Sequence, residues 1–405
     1  MVRTICASVV SLHGNSGAQS ASGAAADSPS ASHLVNYSLQ LADAAIPEKI
    51  DSMQVTTELP ETGKIRAVPC PLCILCGNEG RQLYSEQHDR LFGAEGSWNL
   101  KRCANLECGL VWLDPMPLRE DIGKAYANYY THVSRESAGR KGMLGRIFAA
   151  MQRAYLANKF NYATGPQSFF MRCLGRLLYL FPVRRRGLDG DVRFLAARPG
   201  GRLLDVGCGS GDWLMFMRGL GWQVSGNDFD ANAVKTAQGR GLDVECASLE
   251  QQKHPGSSFD AVTLSHVIEH VPDPVQTLAE CRRILKPGGK LVLFTPNASS
   301  LSHRVFKNDW RGLEPPRHLH VFSTESMRPL LERAGFQNIS IRPHLARSVV
   351  YESLLLRRGQ TGSASQTGRR WSAEAYARLF NLVELCLVQW KPSVADCVAA
   401  VAVKE

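Results

Sequence analysis

The sequence has no run of about 18 uninterrupted apolar residues, the length a bilayer-crossing helix needs, so a transmembrane helix is not expected. It is short of acids, with 37 Asp and Glu against 47 Lys and Arg over 405 residues, a net charge of +10. Cysteine is dilute: the 12 residues in the chain are too few for a disulfide scaffold of this length, which favours a reducing, cytoplasmic setting. No internal repeat is found. Apolar residues at 44 % and charged residues at 21 % exclude a fibrous or wholly disordered chain. The length exceeds what one core usually holds, so two or more units are expected.

The basic excess is uneven. Between Arg135 and Arg193, twelve Lys or Arg face only three acids, Glu136, Asp189 and Asp191. A uniformly basic nucleic-acid binder would not require that concentration, and nucleic acid is not an expected partner. Residues 119–194 read as basic helices. Leu144, Ile147, Phe148, Met151 and Tyr155 form one stripe, with Arg146 and Arg153 opposite. Phe169 to Phe181 is apolar almost all round and runs into Arg184-Arg185-Arg186. Two readings stay open: a lid packed on a catalytic unit, or a segment (143–186) lying on the inner face of an anionic membrane.

Residues 1–65 carry a Ser-, Ala- and Gly-dominated run, Ser16 to Ser32, that cannot bury enough apolar surface to offset chain entropy. A disordered leader is expected. Residues 200–343 alternate short apolar strands with helices of about ten residues, the pattern of a doubly wound parallel α/β sheet. The catalytic unit is placed at 195–405. Its last strand, Ala395 to Val403, is separated from the one before by a helical insertion at about 346–391.

After the first of these strands comes Asp205-Val206-Gly207-Cys208-Gly209-Ser210-Gly211, then a helix. Glycines at alternate positions permit a tight turn and let a ligand lie against bare backbone. The second strand ends at Asp228, where a carboxylate can accept both ribose hydroxyls of a nucleoside. The loop holds no Lys, which excludes a phosphate-cradling NTPase loop.

A second cluster lies upstream. Cys73-x2-Cys76-Gly77 and Cys103-x4-Cys108-Gly109 are paired knuckles whose four thiolates could close on one structural Zn²⁺. Cys70 offers a competing pair with Cys73.

The loop, Asp228, Ser258-Phe259-Asp260, His266-Val267-Ile268-Glu269-His270 and Leu285-Lys286-Pro287-Gly288-Gly289 together resemble class I S-adenosylmethionine-dependent methyltransferases. The resemblance implies a seven-stranded Rossmann-like sheet with an antiparallel last strand. It puts the cofactor's methionine part over Gly207, Gly209 and Gly211, in the motif that includes Asp205 and Cys208. Asp228 would hold the ribose and Phe229 would flank the adenine, with Ser248 and Leu249 at its edge and Ser265 facing the cofactor. Ser248 departs from the acid often found at that position. Residues 66–118 resemble the zinc-ribbon-like lead domain of bacterial methyltransferases acting on sugars and surface glycans, a likeness that runs on through Tyr126 to His132.

Catalytic groups must lie beyond the carboxyl ends of the strands. His266, Glu269 and His270 follow strand four. They can be read as a general base, as a metal triad, or as packing under the next helix. Ubiquinone-pathway O-methyltransferases carry Glu at the position of His266 and bind a divalent ion there, which keeps the metal reading open. After strand five come Asn297, His303, Trp310, Arg317, His318 and His320. Methylating a hydroxyl needs a proton acceptor, so His266, His318 and His320 are the candidate bases, with Trp310 and Arg317 shaping the acceptor pocket. No Asn/Asp-Pro-Pro-aromatic sequence follows strand four, which favours oxygen or carbon over exocyclic nitrogen. The expected acceptor is a saccharide, lipid-linked glycan or small molecule. An RNA methyltransferase and a non-catalytic cofactor-binding scaffold are the alternatives.

Overall fold

The computed structural model describes residues 64–127, 143–162, 169–346, 348–359 and 371–405. The expected leader lies outside the described residues except for Lys64 and Ile65, as does the Gly/Ser stretch inside the insertion.

The chain enters through five short strands, β1 (Ala67–Val68), β2 (Gly80–Gln87), β3 (Trp98–Cys103), β4 (Val111–Leu113) and β5 (Met116–Pro117). β2, β3 and β4 form an antiparallel meander, and β1 pairs with β5. Three helices follow in the basic segment: α1 (Met143–Phe160), α2 (Phe169–Arg176) and α3 (Pro182–Asp191). Tyr155, Leu178 and Leu188 are buried against the sheet that comes next.

That sheet is built from β6 (Arg202–Val206), α4 (Asp212–Gly219), β7 (Gln223–Asp228), α5 (Ala231–Gly239), β8 (Asp243–Cys246), β9 (Phe259–Ser265), α6 (Pro274–Ile284) and β10 (Leu285–Pro296). Next come α7 (Leu301–Phe306), β11 (His320–Val321), α8 (Thr324–Arg333) and β12 (Asn338–His344). The insertion supplies α9 (Val349–Arg357) and α10 (Trp371–Trp390) before β13 (Cys397–Val403). Strand order is β12-β13-β10-β9-β6-β7-β8, and β13 runs antiparallel to both neighbours. Helices cover both faces, which is why β9 and the second half of β10 read as unbroken buried runs rather than as alternation. Leu278, Cys281, Met327 and Leu331 pack on one face, and Leu214, Met217, Val234 and Ala237 on the other.

β11 does not join that sheet. It pairs antiparallel with β4, His320 opposite Trp112 and Val321 opposite Val111, to give a four-stranded sheet β11-β4-β3-β2. The cysteine-bearing segment at 66–118 thus borrows its last strand from the loop after β10. Val111, Trp112 and Leu113 are fully buried; Leu319, Val321 and Trp310 share the core of Val111 and Leu113, while Trp112 joins the core that holds the cysteines. The described residues form one compact unit.

Candidate active site

β6 feeds a loop whose N–H groups at Gly207 and Cys208 donate to the Asn227 carbonyl at 2.8 and 3.0 Å. Gly207 and Gly211 adopt φ of +72° and +80°, and a Cβ on either would lie 2.3 Å from Val267 or Leu242. Only glycine fits there. At Gly209 nothing lies within 4 Å of the Cβ direction, so the loop's crest is open. Asp228, at the tip of β7, accepts the Gly209 N–H at 2.8 Å through Oδ2 and the Asp230 N–H at 3.0 Å through Oδ1. It ties the crest to β7 and keeps lone pairs for a ligand. Phe229 follows with its ring 73 % exposed, a bare wall at the rim. Ser248 is half-buried and its hydroxyl accepts the Gln251 N–H. Leu249 is buried in the core, so it can approach a ligand only through its backbone. Ser265 is half-buried at the end of β9. The Cys208 thiol is buried, which pushes it well above the usual thiol range.

Asp205 is withdrawn behind this loop. Arg193 and Thr263 both donate to its Oδ1, and Arg193 lies 3.5 Å over the Trp213 ring. Burial raises the Asp205 carboxyl, and the Arg193 charge opposes that rise. In the sequence Arg193 is merely part of the basic excess. The available signal was Asp205 itself, since an acid inside a fully buried strand requires a partner.

After β9 the chain turns sharply at His266, φ +56°. His266 Nδ1 lies 3.2 Å from Glu269 Oε1; its side chain is 47 % exposed, whereas Glu269 is fully buried. Burial would raise Glu269, but the hydrogen bond from His266, with the imidazoles packed round it, holds it near 2. Glu269 is therefore ionised at neutral pH. A carboxylate can only accept, so His266 carries its hydrogen on Nδ1 and leaves Nε2 with a lone pair.

Glu269, His270 and His318 bring one carboxylate oxygen and two ring nitrogens within 4.8 Å of one another. His270 Nδ1 faces the Arg317 carbonyl at 3.0 Å and the Tyr126 hydroxyl at 2.9 Å, and His318 Nδ1 donates to the Gly312 carbonyl at 2.8 Å. That leaves both Nε2 atoms as acceptors, His318 Nε2 lying 3.6 Å from Glu314 Oε2, and Glu269 Oε2 has no hydrogen-bond partner. One carboxylate and two imidazoles suit a divalent cation. His318, not the expected His266, completes that trio.

The other candidates from the loop after β10 are interior. Trp310 stacks on His303 at 4.5 Å, and His303 bridges the Ala298 carbonyl and the Tyr84 hydroxyl. Asn297 anchors the Ser393 and Ala395 carbonyls. Arg317, fully buried, grips Asp89 with both terminal nitrogens at 2.8 and 2.9 Å, pairs with Glu314 at 2.7 Å, and stacks over Phe92. It clamps the first five strands to the catalytic loop instead of facing an acceptor. His318 and His320 are buried, which drives both down to about 4 and keeps them neutral. His266 is the one exposed member of the three candidate bases.

A family model for a methyltransferase domain matches residues 183–341. A ubiquinone biosynthesis O-methyltransferase from Xanthomonas oryzae pv. oryzae is 34 % identical over 215 residues, 49 % of this chain and 82 % of that protein. The chain belongs to the class I S-adenosylmethionine-dependent methyltransferases. A protein of the same name from Thiobacillus denitrificans is 39 % identical over 130 residues, 30 % of this chain and 54 % of its own length. The chain thus spans little more than half of that second relative. A solved S-adenosylmethionine-dependent methyltransferase from Mesorhizobium loti is similar over 54 % of this chain and 98 % of its own, at 19 % identity and a TM-score of 0.39.

In this methyltransferase the open crest at Gly209, the Asp228 carboxylate and the bare Phe229 ring fit the methionine, ribose and adenine parts of the cofactor. Asp228→Ala is expected to weaken S-adenosylmethionine binding about tenfold or more, since hydrogen bonds to a charged group are worth roughly 1.5–3 kcal/mol each. Calorimetry measures this directly, and unchanged affinity would remove Asp228 from the cofactor site.

Upstream, the methyltransferase brings Cys73, Cys76, Cys103 and Cys108 together with all four sulfurs within 4.8 Å. The Cys73–Cys108 and Cys76–Cys103 separations are 3.6 and 3.3 Å. Tetrahedral Zn–S bonds of about 2.3 Å would set sulfurs somewhat under ~4 Å apart, so the cluster fits the ion. The hydrogen bond between Cys73 and Cys108 pulls Cys73 down and pushes Cys108 up, and burial raises Cys103. Cys70 stands outside: its N–H donates to Asp114 and its carbonyl accepts the Trp112 indole N–H. That resolves the competing pair in favour of Cys76.

Proposed function

We propose that this methyltransferase transfers a methyl group to a phenolic oxygen of a quinone-precursor type of acceptor, with His266 as the base and a structural zinc on the four cysteines. The two curated relatives carry a quinone-pathway name, which moves the acceptor away from the saccharide or glycan expected from the resemblance of the ribbon segment. No observation favours RNA.

The observation that carries the reading is the exposed His266 held through Nδ1 by the buried Glu269 carboxylate, beside the open glycine crest. Val267 presses directly on Gly207, so the His266 turn and the cofactor loop are in contact. S-adenosylmethionine, when bound, supplies an electrophilic methyl on a sulfonium. His266 Nε2 would take the hydroxyl proton as the O–C bond forms and the sulfonium S–C bond breaks to leave a neutral thioether, and Glu269 would stabilise the imidazolium that results. A phenol ionises near pH ~10 as tyrosine does, against about 15.7 for water. The smaller gap suits an imidazole base.

The test uses the full chain with isotope-labelled S-adenosylmethionine and two acceptors, a dihydroxybenzoate and a nucleotide sugar, read by mass spectrometry. A labelled methyl ether on the phenolic oxygen is expected. Labelling of the sugar alone would overturn the assignment.

A further inference from the structure

Outside the site, the most unusual surface among the described residues runs from the start of α2 to the start of α3. Phe169, Phe170 and Leu180 are 81, 71 and 75 % exposed, far more than a packed lid would leave. Cations flank them. Arg176 and Arg184 are exposed, and Arg184 lies 4.9 Å over the Phe148 ring. The described residues of this segment, 143–162 and 169–193, hold nine Lys or Arg against two acids, Asp189 and Asp191. Asp189 is already taken by Lys159 and the Tyr155 hydroxyl.

The position of the patch gives it a direction. α3 ends against the carboxyl end of β12, where a Cβ on Gly190 would lie 2.8 Å from His344. At the same strand end, Leu345 packs with Val388 and Val394, at the foot of α10. The last residue of α10 is Trp390, 89 % exposed, a second large apolar side chain there. The parallel strands present cofactor and acceptor at this end of the sheet. None of the helices among the described residues is long and apolar enough to cross a membrane.

We propose that the α2–α3 surface docks on an anionic lipid bilayer. The aromatic and leucine side chains enter the headgroup boundary, and the arginines pair with lipid phosphates. Aromatic and aliphatic bulk with cations and almost no free acid is complementary to anionic lipid. The mouth of the site then faces the membrane, so an acceptor dissolved in lipid can reach it without crossing water. The inference holds whatever hydroxyl is methylated.

Full-length protein is mixed with sedimentable vesicles of phosphatidylcholine alone, or of equimolar phosphatidylcholine and phosphatidylglycerol, over a salt series. Binding is expected on the anionic vesicles only, falling as salt rises. Arg176→Gln with Arg184→Gln lowers partition about thirtyfold, roughly fivefold for each arginine. Phe169→Ser with Phe170→Ser lowers it about tenfold or more. Both double variants keep wild-type cofactor affinity by calorimetry, which separates a lost surface from a lost fold. Equal partition onto neutral and anionic vesicles, variants that bind like wild type, or a patch engaged by RNA or a second copy of the chain with no vesicle binding would each overturn it.

Discussion

Freshly purified, reduced protein is expected to contain zinc at one equivalent per chain on the four cysteines, and Cys103→Ser or Cys108→Ser to lose it. Both sulfurs are buried and each faces a partner from the first knuckle. Zinc held by a closed thiolate set contributes on the order of 10–16 kcal/mol in small metal-folded units, as much as the whole stability of a typical domain. Cys281→Ser should leave metal content unchanged, since that thiol is not among the four sulfurs that converge. Loss of zinc should also lower turnover, because β4 is paired to β11 and the N–H groups of Leu319 and His320 both donate to the Glu269 carbonyl. Metal analysis finding no zinc would remove the structural metal. A second divalent equivalent that survives Cys103→Ser would belong to Glu269, His270 and His318.

His266→Ala is expected to lower kcat about 10²–10⁴-fold with cofactor affinity unchanged, the usual range for a lost general base. The ring is half exposed and, among the described residues, is held by a single side-chain hydrogen bond, to Glu269, so the fold should survive. Glu269 stays ionised across the working pH range, being held near 2, so Glu269→Gln should reduce turnover by unfixing the His266 tautomer. That variant also empties a buried charge site, and a thermal melt separates the two effects. His318→Ala and His320→Ala should show mainly as lost stability, because their rings are enclosed. Full activity of His266→Ala on the true acceptor would sink base catalysis by this residue.

Much of this was legible because it is local. The alternating glycines and Asp228 at a strand tip each declare themselves within a few residues. The same holds for the paired knuckles, although spacing alone could not choose between Cys70 and Cys76. That choice depends on Asp114 and Trp112, which hold Cys70 outside the cluster from about forty residues away in sequence.

The strand-five loop was harder to read. His318 and His320 alternate on an extended segment, the pattern of a site wall, and nothing nearby reveals that another sheet covers them. Arg317 has Glu314 three residues before it, but its other partner, Asp89, lies 228 residues away. Arg193 likewise gave no sign of its pairing with Asp205. Such long-range ion pairs leave no periodic trace in the sequence.

The four-stranded sheet also bears on how the chain is made. Synthesis delivers β4 with its outer edge unpaired, and β11 emerges only after some two hundred further residues have been added. Until then the segment offers Val111, Trp112 and Leu113 on an open edge, the kind that recruits other chains. A fragment ending before β11 should therefore aggregate even when fully loaded with zinc. The contact order of this one pairing also makes its closure a late step of folding. Fusing or swapping the ribbon as a module would require carrying β11 with it.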